Sequence, residues 1–279
     1  MNRAFAFLLP VTALVVVLVV AGAAWLFRDD SSPKAMRTDV PAEQDAEPID
    51  APQPRRATGD VCQGVIKRPG KGQPTAFPAE YTQQRHVLGL TIVGNARVQS
   101  AAFDRAEETI RRMFAGNGLE ERLVEEGAYI VIADHSQRVL DLPEFHCLGG
   151  QFGDSFFSNV CGVADRADYP VATVNEWDLT GDKRGPCRGL NILYHELGHL
   201  VQGWTIGPAD YIDVKLFYQA ALDAGKYRRA YARTNPNEYF AEGTQAYFLH
   251  VEPEGTKDRA WLKRYDPELY ELLARIYGE

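Results

Sequence analysis

The chemically most distinctive pattern in the sequence is a pair of histidines around a glutamate, in the run His-Glu-Leu-Gly-His at residues 195–199. On an α-helix, His195 and His199 are separated by about 400°, so both rings project from nearly the same face, about 6 Å apart along the axis. Two imidazoles placed in this way can share one tetrahedral zinc ion, with bonds of about 2.0–2.1 Å. The spacing therefore predicts that His195 and His199 are metal ligands.

The glutamate between the histidines is placed for proton transfer. Glu196 lies about 100° around the helix from His195, where its carboxylate can reach a water on the metal without binding the metal itself. A general base needs this position. Gly198 leaves out a side chain where another segment can approach the helix closely. The flanking residues are apolar, which predicts a buried helix, and unpaired buried histidines are costly. A zinc site is therefore favoured over two surface histidines.

A third ligand is expected from the segment at residues 235–249, because a catalytic zinc usually takes three protein ligands and leaves one position to water. Glu238 and Glu242 are four residues apart there and share one helical face. Two carboxylates in an otherwise apolar and aromatic helix require a cation or hydrogen-bond donors nearby. Glu238 can also complete a capping box with Asn235, whereas Glu242 has no such role. The pattern predicts that one of the two binds zinc and does not choose between them.

Together these motifs resemble the gluzincins of the lethal-factor type, a group of HExxH zinc metallopeptidases that includes the catalytic domain of anthrax lethal factor and the Pro-Pro endopeptidases. The resemblance covers about residues 195–248, where Glu-Tyr-Phe-Ala-Glu follows the histidine motif after about 39 residues. It implies that Glu238 is the third zinc ligand, that Tyr231 stabilises the oxyanion, and that Glu242 orients a ligand histidine. Residues 243–245 depart from the family pattern, so no substrate preference is carried over.

The activity implied is hydrolysis of peptide bonds in a peptide or protein substrate, with one Zn²⁺ per chain and Glu196 as general base. Two other function classes remain open. One is a non-catalytic binding module with a zincin fold, against which the intact Glu196 argues. The other is a zinc hydrolase of a non-protein amide, such as a cell-wall amide, which the lack of an obvious wall-binding repeat disfavours.

The elements that must position these residues form a mixed pattern. Strand-like runs dominate the first half and helical runs the second, which predicts an α+β, zincin-like metallopeptidase domain. Residues 142–169 are expected to be a long loop, and an edge strand at 170–177 would allow pairing with an extended substrate. The strands are predicted at residues 86–93, 128–133 and 170–177. The helices are predicted at residues 100–114, 119–126, 190–204, 213–224, 236–249 and 266–277.

The N-terminal region predicts export. Residues 4–27 form an apolar run long enough to cross a bilayer, so residues 1–27 are expected to be a transmembrane signal anchor, with a cleaved signal peptide as the alternative. Residues 28–59 have the composition of a disordered linker, and residues 60–279 are the expected catalytic domain. This domain would stand outside the cytoplasm, at the cell membrane or, after cleavage, secreted or periplasmic. The net charge of −8 argues against a nucleic-acid partner.

All four cysteines lie in the expected folded domain, and an even number in an exported chain predicts two disulfide bonds. Three pairings are possible for Cys62, Cys147, Cys161 and Cys187. Pairing of Cys147 with Cys161 would close a short loop and leave Cys62 for Cys187, and this is the pairing we favour from the sequence. A cysteine-rich metal site is disfavoured because no Cys-x-x-Cys pair is present.

Overall fold

A small mixed β-sheet forms one layer of the fold. The structure is a computed structural model that describes residues 77–138, 141–145, 160–164, 170–249 and 257–278. The strands have the order β1-β2-β3-β5-β4. The three inner strands are parallel, and the outer strands β1 and β4 run antiparallel to their neighbours. The bounds are β1 (Gln83–Val87), β2 (Leu90–Gly94), β3 (Tyr129–Ala133), β4 (Gly162–Val163) and β5 (Val171–Asn175).

Apolar residues on both faces explain why the inner strands are buried. In β3, Ile130 and Ile132 face the main core with the helices, whereas Tyr129 and Val131 face a second, smaller core. The second core encloses the carboxylate of Glu144, which accepts hydrogen bonds from the hydroxyls of Tyr81 and Tyr129. Burial raises the pKa of Glu144, and these hydrogen bonds only partly offset that effect.

The described part of the chain also contains eight α-helices. Together with the sheet, they confirm a mixed α+β fold. The two that carry the candidate site residues, α4 and α6, pack against each other. A short 3-10 helix, Tyr231–Arg233, lies between α5 and α6. The bounds are α1 (Ser100–Phe114), α2 (Leu119–Glu125), α3 (Glu176–Thr180), α4 (Leu193–Trp204), α5 (Pro208–Asp223), α6 (Pro236–Phe248), α7 (Arg259–Tyr265) and α8 (Pro267–Tyr277).

Two of the predicted strands have a different form in the structure. Residues 86–93 are a hairpin of β1 and β2, whose turn places Leu88 and Gly89 at positive φ angles of 50° and 81°, as a tight hairpin turn requires. The prediction that residues 170–177 form an edge strand is wrong. β5 is an inner strand because β4, which comes from the predicted long loop, pairs with its other side. The last two residues, Glu176 and Trp177, already belong to α3.

The predicted pairing of Cys147 with Cys161, and of Cys62 with Cys187, is also wrong. Cys161 forms a disulfide bond with Cys187, with a Cα–Cα distance of 5.7 Å. The pairing follows from the fold, because β4 places Cys161 beside β5 and the loop before α4 returns to the same place. Cys62 and Cys147 lie outside the described residues.

The loop that carries Cys187 is held by a buried aspartate. Asp178 of α3 accepts hydrogen bonds from the backbone N–H groups of Cys187, at 2.9 Å, and Gly189, at 2.8 Å. Burial raises the pKa of Asp178, and these two hydrogen bonds oppose the increase. The loop that leads into α4 is therefore tied to α3 by hydrogen bonds and to β4 by the disulfide.

A second buried aspartate follows β3 and is held by donors on three sides. Asp134 accepts hydrogen bonds from the side chains of Asn95, Ser136 and Arg97. Burial acts to raise the pKa of Asp134, but the hydrogen bonds outweigh it and lower the pKa to about 2. The ionised carboxylate therefore contributes to the stability of the fold.

The described residues belong to one compact unit, Asp45–Glu279. Within the described ranges, no helix has both the length and the apolar character that a membrane span requires. The predicted anchor at residues 4–27 and the predicted linker at residues 28–59 lie outside the described residues, as does most of the predicted loop at 142–169.

Candidate metal centre

The candidate site lies where helices α4 and α6 approach each other closely. A Cβ atom added at Gly198 of α4 would lie 3.1 Å from Thr244 Cβ and 3.2 Å from Ala241 Cα of α6. These distances are shorter than ordinary carbon–carbon contacts of about 3.5–4.0 Å. The glycine in the His-Glu-Leu-Gly-His run therefore allows α6 to pack directly onto the helix that carries the histidines.

The two histidines of α4 face each other as the helical spacing predicts. His195 Nε2 lies 3.2 Å from His199 Nε2. The ring centroids are 4.8 Å apart and the rings are nearly perpendicular, at 81°. Both side chains are largely buried, with 10% of His195 and 12% of His199 exposed. Two ring nitrogens thus converge on one small volume.

Glu238 of α6 brings a carboxylate oxygen to the same volume. Its Oε2 atom lies 3.1 Å from His195 Nε2 and 3.5 Å from His199 Nε2. The position of Glu238 follows from the start of α6, where the side chain of Asn235 caps the helix by accepting hydrogen bonds from the N–H groups of Asn237 and Glu238. Helix capping therefore uses the backbone of Glu238, and its side chain points to the histidines.

These three atoms have the spacing that a tetrahedral zinc ion requires of its ligands. Bonds of about 2.0–2.1 Å at tetrahedral angles place neighbouring ligand atoms about 3.3–3.4 Å apart. The three distances here are 3.1, 3.2 and 3.5 Å. Glu238 Oε2 is buried and lies within ion-pair distance of both rings, yet it accepts no aligned hydrogen bond. A buried carboxylate oxygen without an aligned donor is explained if its partner is a cation, so the residues fit a metal ion.

The electrostatics of the group are those of a strongly coupled set of charges. Burial acts to raise the pKa of Glu238, but the contacts with His195 and His199 outweigh it and lower the pKa well below its usual range. For His195, burial acts to lower the pKa, but the contacts with Glu238 and Glu242 outweigh it and raise the pKa. Glu238 is therefore ionised, as a metal ligand must be, and a proton on His195 competes with a metal ion.

Glu242 and Tyr231, the other two residues implied by the resemblance, surround the same group. Glu242 Oε1 lies 3.4 Å from Nδ1 of His195, on the opposite side of the ring from Glu238. The hydroxyl of Tyr231 donates a hydrogen bond of 3.3 Å to Glu238 Oε1. Burial, followed by the charges of Glu238 and Glu196, raises the pKa of Tyr231. Tyr231 therefore stays protonated at neutral pH and can act as a donor.

Glu196 lies on the side of α4 that faces the outer strand β4. The residue is buried, and a Cβ atom added at Gly162 of β4 would lie 3.1 Å from Glu196 Oε1. The charge of Glu196 also raises the pKa of both His195 and Tyr231, so its carboxylate lies near the candidate ligands. Gly162 could not be predicted from the sequence, because a two-residue strand inside an expected loop leaves no periodic signal.

The two described cysteines, Cys161 and Cys187, are not part of this group. Cys161 and Cys187 form the disulfide bond, and Cys62 and Cys147 lie outside the described residues. A second set of potential ligand atoms within the described ranges comprises Cys161, Asp178 and Cys187. Its sulfur atoms are in the disulfide and its carboxylate binds backbone N–H groups. The group formed by His195, His199 and Glu238 is therefore the better candidate for a metal site.

Comparison with known proteins adds no family assignment. No protein-family model matches the chain, and no curated protein matches it in sequence. The function of the chain is therefore inferred from the geometry of the site.

Proposed function

We propose that the chain is a zinc-dependent hydrolase that cleaves peptide bonds, with His195, His199 and Glu238 holding the metal. One observation carries the proposal. Three potential ligand atoms, two from α4 and one from α6, are separated by the distances expected between the ligand atoms of a tetrahedral zinc ion. Glu196 of α4 is buried beside them. The lethal-factor type of gluzincin, which the motifs resemble, uses the same set of residue types.

Each group at the site has a separate role in the proposed hydrolysis. When bound, zinc supplies Lewis-acid chemistry that lowers the pKa of water to about 7 and polarises a carbonyl group. Glu196 accepts the proton of the attacking water and delivers it to the leaving amine. Tyr231 is half exposed, at 48%, and its protonated hydroxyl, which donates to Glu238 Oε1 in the structure, would turn to a developing oxyanion when Glu238 holds the metal.

Glu242 has a positioning role in this proposal. Its Oε1 atom lies 3.4 Å from Nδ1 of His195, within ion-pair distance, and Nε2 of the same ring faces Glu238 and His199. A carboxylate behind a ligand histidine fixes the orientation and the tautomer of the ring and makes it a better ligand. Glu242 would therefore raise metal affinity without touching the metal.

An extended peptide has a surface to bind beside the site. β4 is the outermost strand of the described sheet on this side, and its Gly162 lies against Glu196. Outer strands bind extended peptides through backbone hydrogen bonds that do not depend on side-chain identity. The sequence predicts that residues 170–177 pair with an extended substrate. Gly162–Val163, as the outer strand, is better placed for this role.

We also propose that the domain works outside the cytoplasm, held at the cell membrane by the apolar segment at residues 4–27. The support is the length of that segment and the disulfide bond between Cys161 and Cys187, since structural disulfides are typical of oxidising compartments. Fractionation of cells with an antibody to the domain, combined with protease treatment of intact cells, tests this. If the domain resists added protease in cells whose outer envelope layers have been removed, the proposed orientation outside the cytoplasm is refuted.

The test of the hydrolase uses the full-length chain and its Glu196→Gln and Glu238→Gln variants. Zinc content is measured together with cleavage of a peptide library and of cell-wall fragments. We expect one zinc per chain in the parent and in Glu196→Gln, weak zinc binding in Glu238→Gln, and peptide cleavage only in the parent.

Other results would change the proposal in defined ways. Cleavage of cell-wall fragments alone would replace the peptide substrate with another amide. Zinc binding without any hydrolysis would favour a binding module. Absence of zinc from all three proteins would refute the metal site.

A further inference from the structure

A cavity of about 250 Å³ opens at the carboxyl ends of the inner strands β3 and β5, outside the group of candidate metal ligands. Thr173 of β5 lines it, and so do Gln137, after β3, Asn175, at the end of β5, Trp177 of α3 and Arg184 of the following loop. In sheets of parallel strands, ligands bind in crevices at this end of the strands. The volume is below the range of about 300–1,000 Å³ for drug-sized pockets, so it suits a small molecule or a single side chain.

The cavity contains a buried polar atom without a partner. Thr173 is fully buried, and its hydroxyl oxygen makes no hydrogen bond within the described structure. The neighbouring positions of β5, Ala172 and Val174, belong to the main apolar core, so Thr173 lies on the opposite face of the strand, together with Asn175. A buried hydroxyl without a partner is costly, and a ligand group in the cavity would satisfy it.

Two side-chain amides on the lining present their donor ends. The oxygen of Asn175 accepts a hydrogen bond from the N–H of Trp177. The oxygen of Gln137 accepts from the side chain of Asn95 and from the N–H of Asp134. Each amide oxygen is therefore occupied, and within the described residues neither NH₂ group donates a hydrogen bond, so both can donate to a ligand.

Arg184, a charged residue of the cavity lining, also offers hydrogen-bond donors and no acceptors. The guanidinium of Arg184 lies 4.6 Å from the ring centroid of Trp177 and forms an ion pair with Asp182 on the surface. Arg184 is exposed and binds Asp182 through Nε and Nη2, and within the described residues its Nη1 group has no hydrogen-bond partner, so Nη1 remains to donate to a ligand. Arginine has donors only, and its planar group matches a carboxylate.

The nearby buried carboxylates do not contribute free acceptors to the cavity. Glu176 accepts hydrogen bonds from His135, through both its backbone N–H and its ring Nδ1, and from the N–H of Gln99. Asp134 is held by Asn95, Ser136 and Arg97, as described above. The free polar groups on the lining are therefore mainly donors.

We infer that this cavity binds a carboxylate group, carried either by a small organic acid or by an acidic side chain of a peptide. A carboxylate only accepts hydrogen bonds, so it complements the hydroxyl of Thr173, the amide donors of Asn175 and Gln137, and the guanidinium of Arg184. The ring of Trp177 stacks with His135 and contacts the guanidinium of Arg184, so it holds the arginine at the cavity. The inference is independent of the proposed zinc site, because no candidate metal ligand lines the cavity.

The test measures binding of 4-acetamidobutanoate, which carries a single carboxylate, and of its neutral analogue 4-acetamidobutanamide to the full-length chain by NMR, following the indole signal of Trp177. We expect saturable binding of the acid with a Kd of about 1 mM, which is typical of a ligand of this size. The neutral analogue should bind at least about tenfold more weakly, because it lacks the charge that Arg184 and the amide donors recognise. Equal binding of the two compounds, or no saturable binding of either, would overturn the inference.

Three variants examine the lining, and one variant serves as a matched control. Arg184→Gln is the deciding variant, because it lies at the surface and carries little folding risk, and it should weaken binding of the acid about tenfold. Asn175→Asp keeps the acceptor for Trp177 and places a negative charge at the cavity, and Thr173→Val removes the buried hydroxyl, so both should weaken binding as well. Lys183→Gln removes a positive charge from the same loop outside the lining and should leave binding unchanged. Retention of binding in Arg184→Gln, or its loss in Lys183→Gln, would contradict the assignment.

Two further arms of the experiment separate the sources of the carboxylate. A short blocked peptide with one glutamate is compared with 4-acetamidobutanoate. Binding of the peptide about tenfold more tightly identifies an acidic side chain, whereas equal or weaker binding identifies a small organic acid. The series is repeated in the Glu238→Gln variant. Unchanged binding there keeps the cavity separate from the metal site, so failure of the hydrolase and failure of this inference are distinguishable.

Discussion

The approach of helices α4 and α6 at Gly198 predicts a measurable packing penalty for a single methyl group. A Cβ atom at Gly198 would lie 3.1 Å from Thr244 Cβ and 3.2 Å from Ala241 Cα. Ordinary contacts need about 3.5–4.0 Å. The Cα atom of Ala241 belongs to the backbone and cannot rotate away. Gly198→Ala therefore forces the two helices apart by about 0.3–0.5 Å at this point.

Two opposing terms set the size of the effect on stability. Overpacking of a close contact costs about 1–3 kcal/mol, and replacement of glycine by alanine inside a helix contributes about 1 kcal/mol in the stabilising direction. We expect Gly198→Ala to lower the free energy of unfolding by up to about 2 kcal/mol. Gly203→Ala is the matched control, because it lies on the same helix and its added Cβ meets nothing within 4 Å. The difference between the two variants isolates the packing term.

The same displacement acts on the candidate metal ligands, since α6 carries Glu238 and α4 carries both histidines. Metal–ligand distances tolerate deviations of about 0.2 Å, which is less than the displacement expected from Gly198→Ala. We therefore expect zinc affinity to fall about tenfold in Gly198→Ala and to stay unchanged in Gly203→Ala. Chemical denaturation measures the first effect, and competition with a chromophoric chelator measures the second. Equal unfolding free energies and equal zinc affinities in the two variants would refute the close approach.

Three further predictions follow from the described contacts. Glu242→Gln should weaken zinc affinity about 10- to 100-fold, measured by chelator competition, and an unchanged affinity would remove Glu242 from its positioning role. Loss of the disulfide, in a Cys161→Ser and Cys187→Ser double variant, should lower the free energy of unfolding by about 3–4 kcal/mol, because the bond closes a loop of 26 residues; an equal midpoint in denaturant would contradict this. The pKa of Asp134 is about 2 in the folded chain, below about 3.9 in the unfolded chain. Its contribution of about 2 kcal/mol is therefore present above pH 4 and lost between about pH 4 and 2, and Asp134→Asn should reduce the slope of stability against pH in that window.

Local signals in the sequence predict several elements of the fold correctly. The helical spacing of Phe103, Ala106, Ile110 and Met113 predicts α1 with the observed bounds, and all four side chains are buried. The pair Asn235-Pro236 predicts the start of α6, where the asparagine caps the helix as expected. Such signals succeed because caps and periodic apolar faces depend on residues within one or two turns.

The features that were predicted wrongly depend on contacts between distant segments. β5 becomes an inner strand only because the two residues of β4 pair with it, and nothing within residues 170–177 reports that partner. The partner of Cys161 is decided by the return of the loop before α4, not by the short distance along the chain to Cys147.

The candidate site also combines features set by local sequence signals with features set by contacts between distant segments. The convergence of His195 and His199 follows from the spacing of one helix and was predicted. The choice between Glu238 and Glu242 depends on how α6 lies across α4, because the two carboxylates share one face. The structure places Glu238 beside Nε2 of His195, and Glu242 beside Nδ1.

The candidate ligands come from α4 and α6 alone, and the sheet supplies none of them. A bound ion stabilises the state that binds it by an amount that grows with the logarithm of the free ion concentration, so zinc would strengthen the contact between these helices more than the pairing of β1, β2 and β3. Backbone amides of the helical half would then exchange with solvent at a rate set by free zinc, while those of the sheet would exchange at a rate set by the sequence. The folded domain would therefore respond to the zinc level of its surroundings mainly through the contact between α4 and α6.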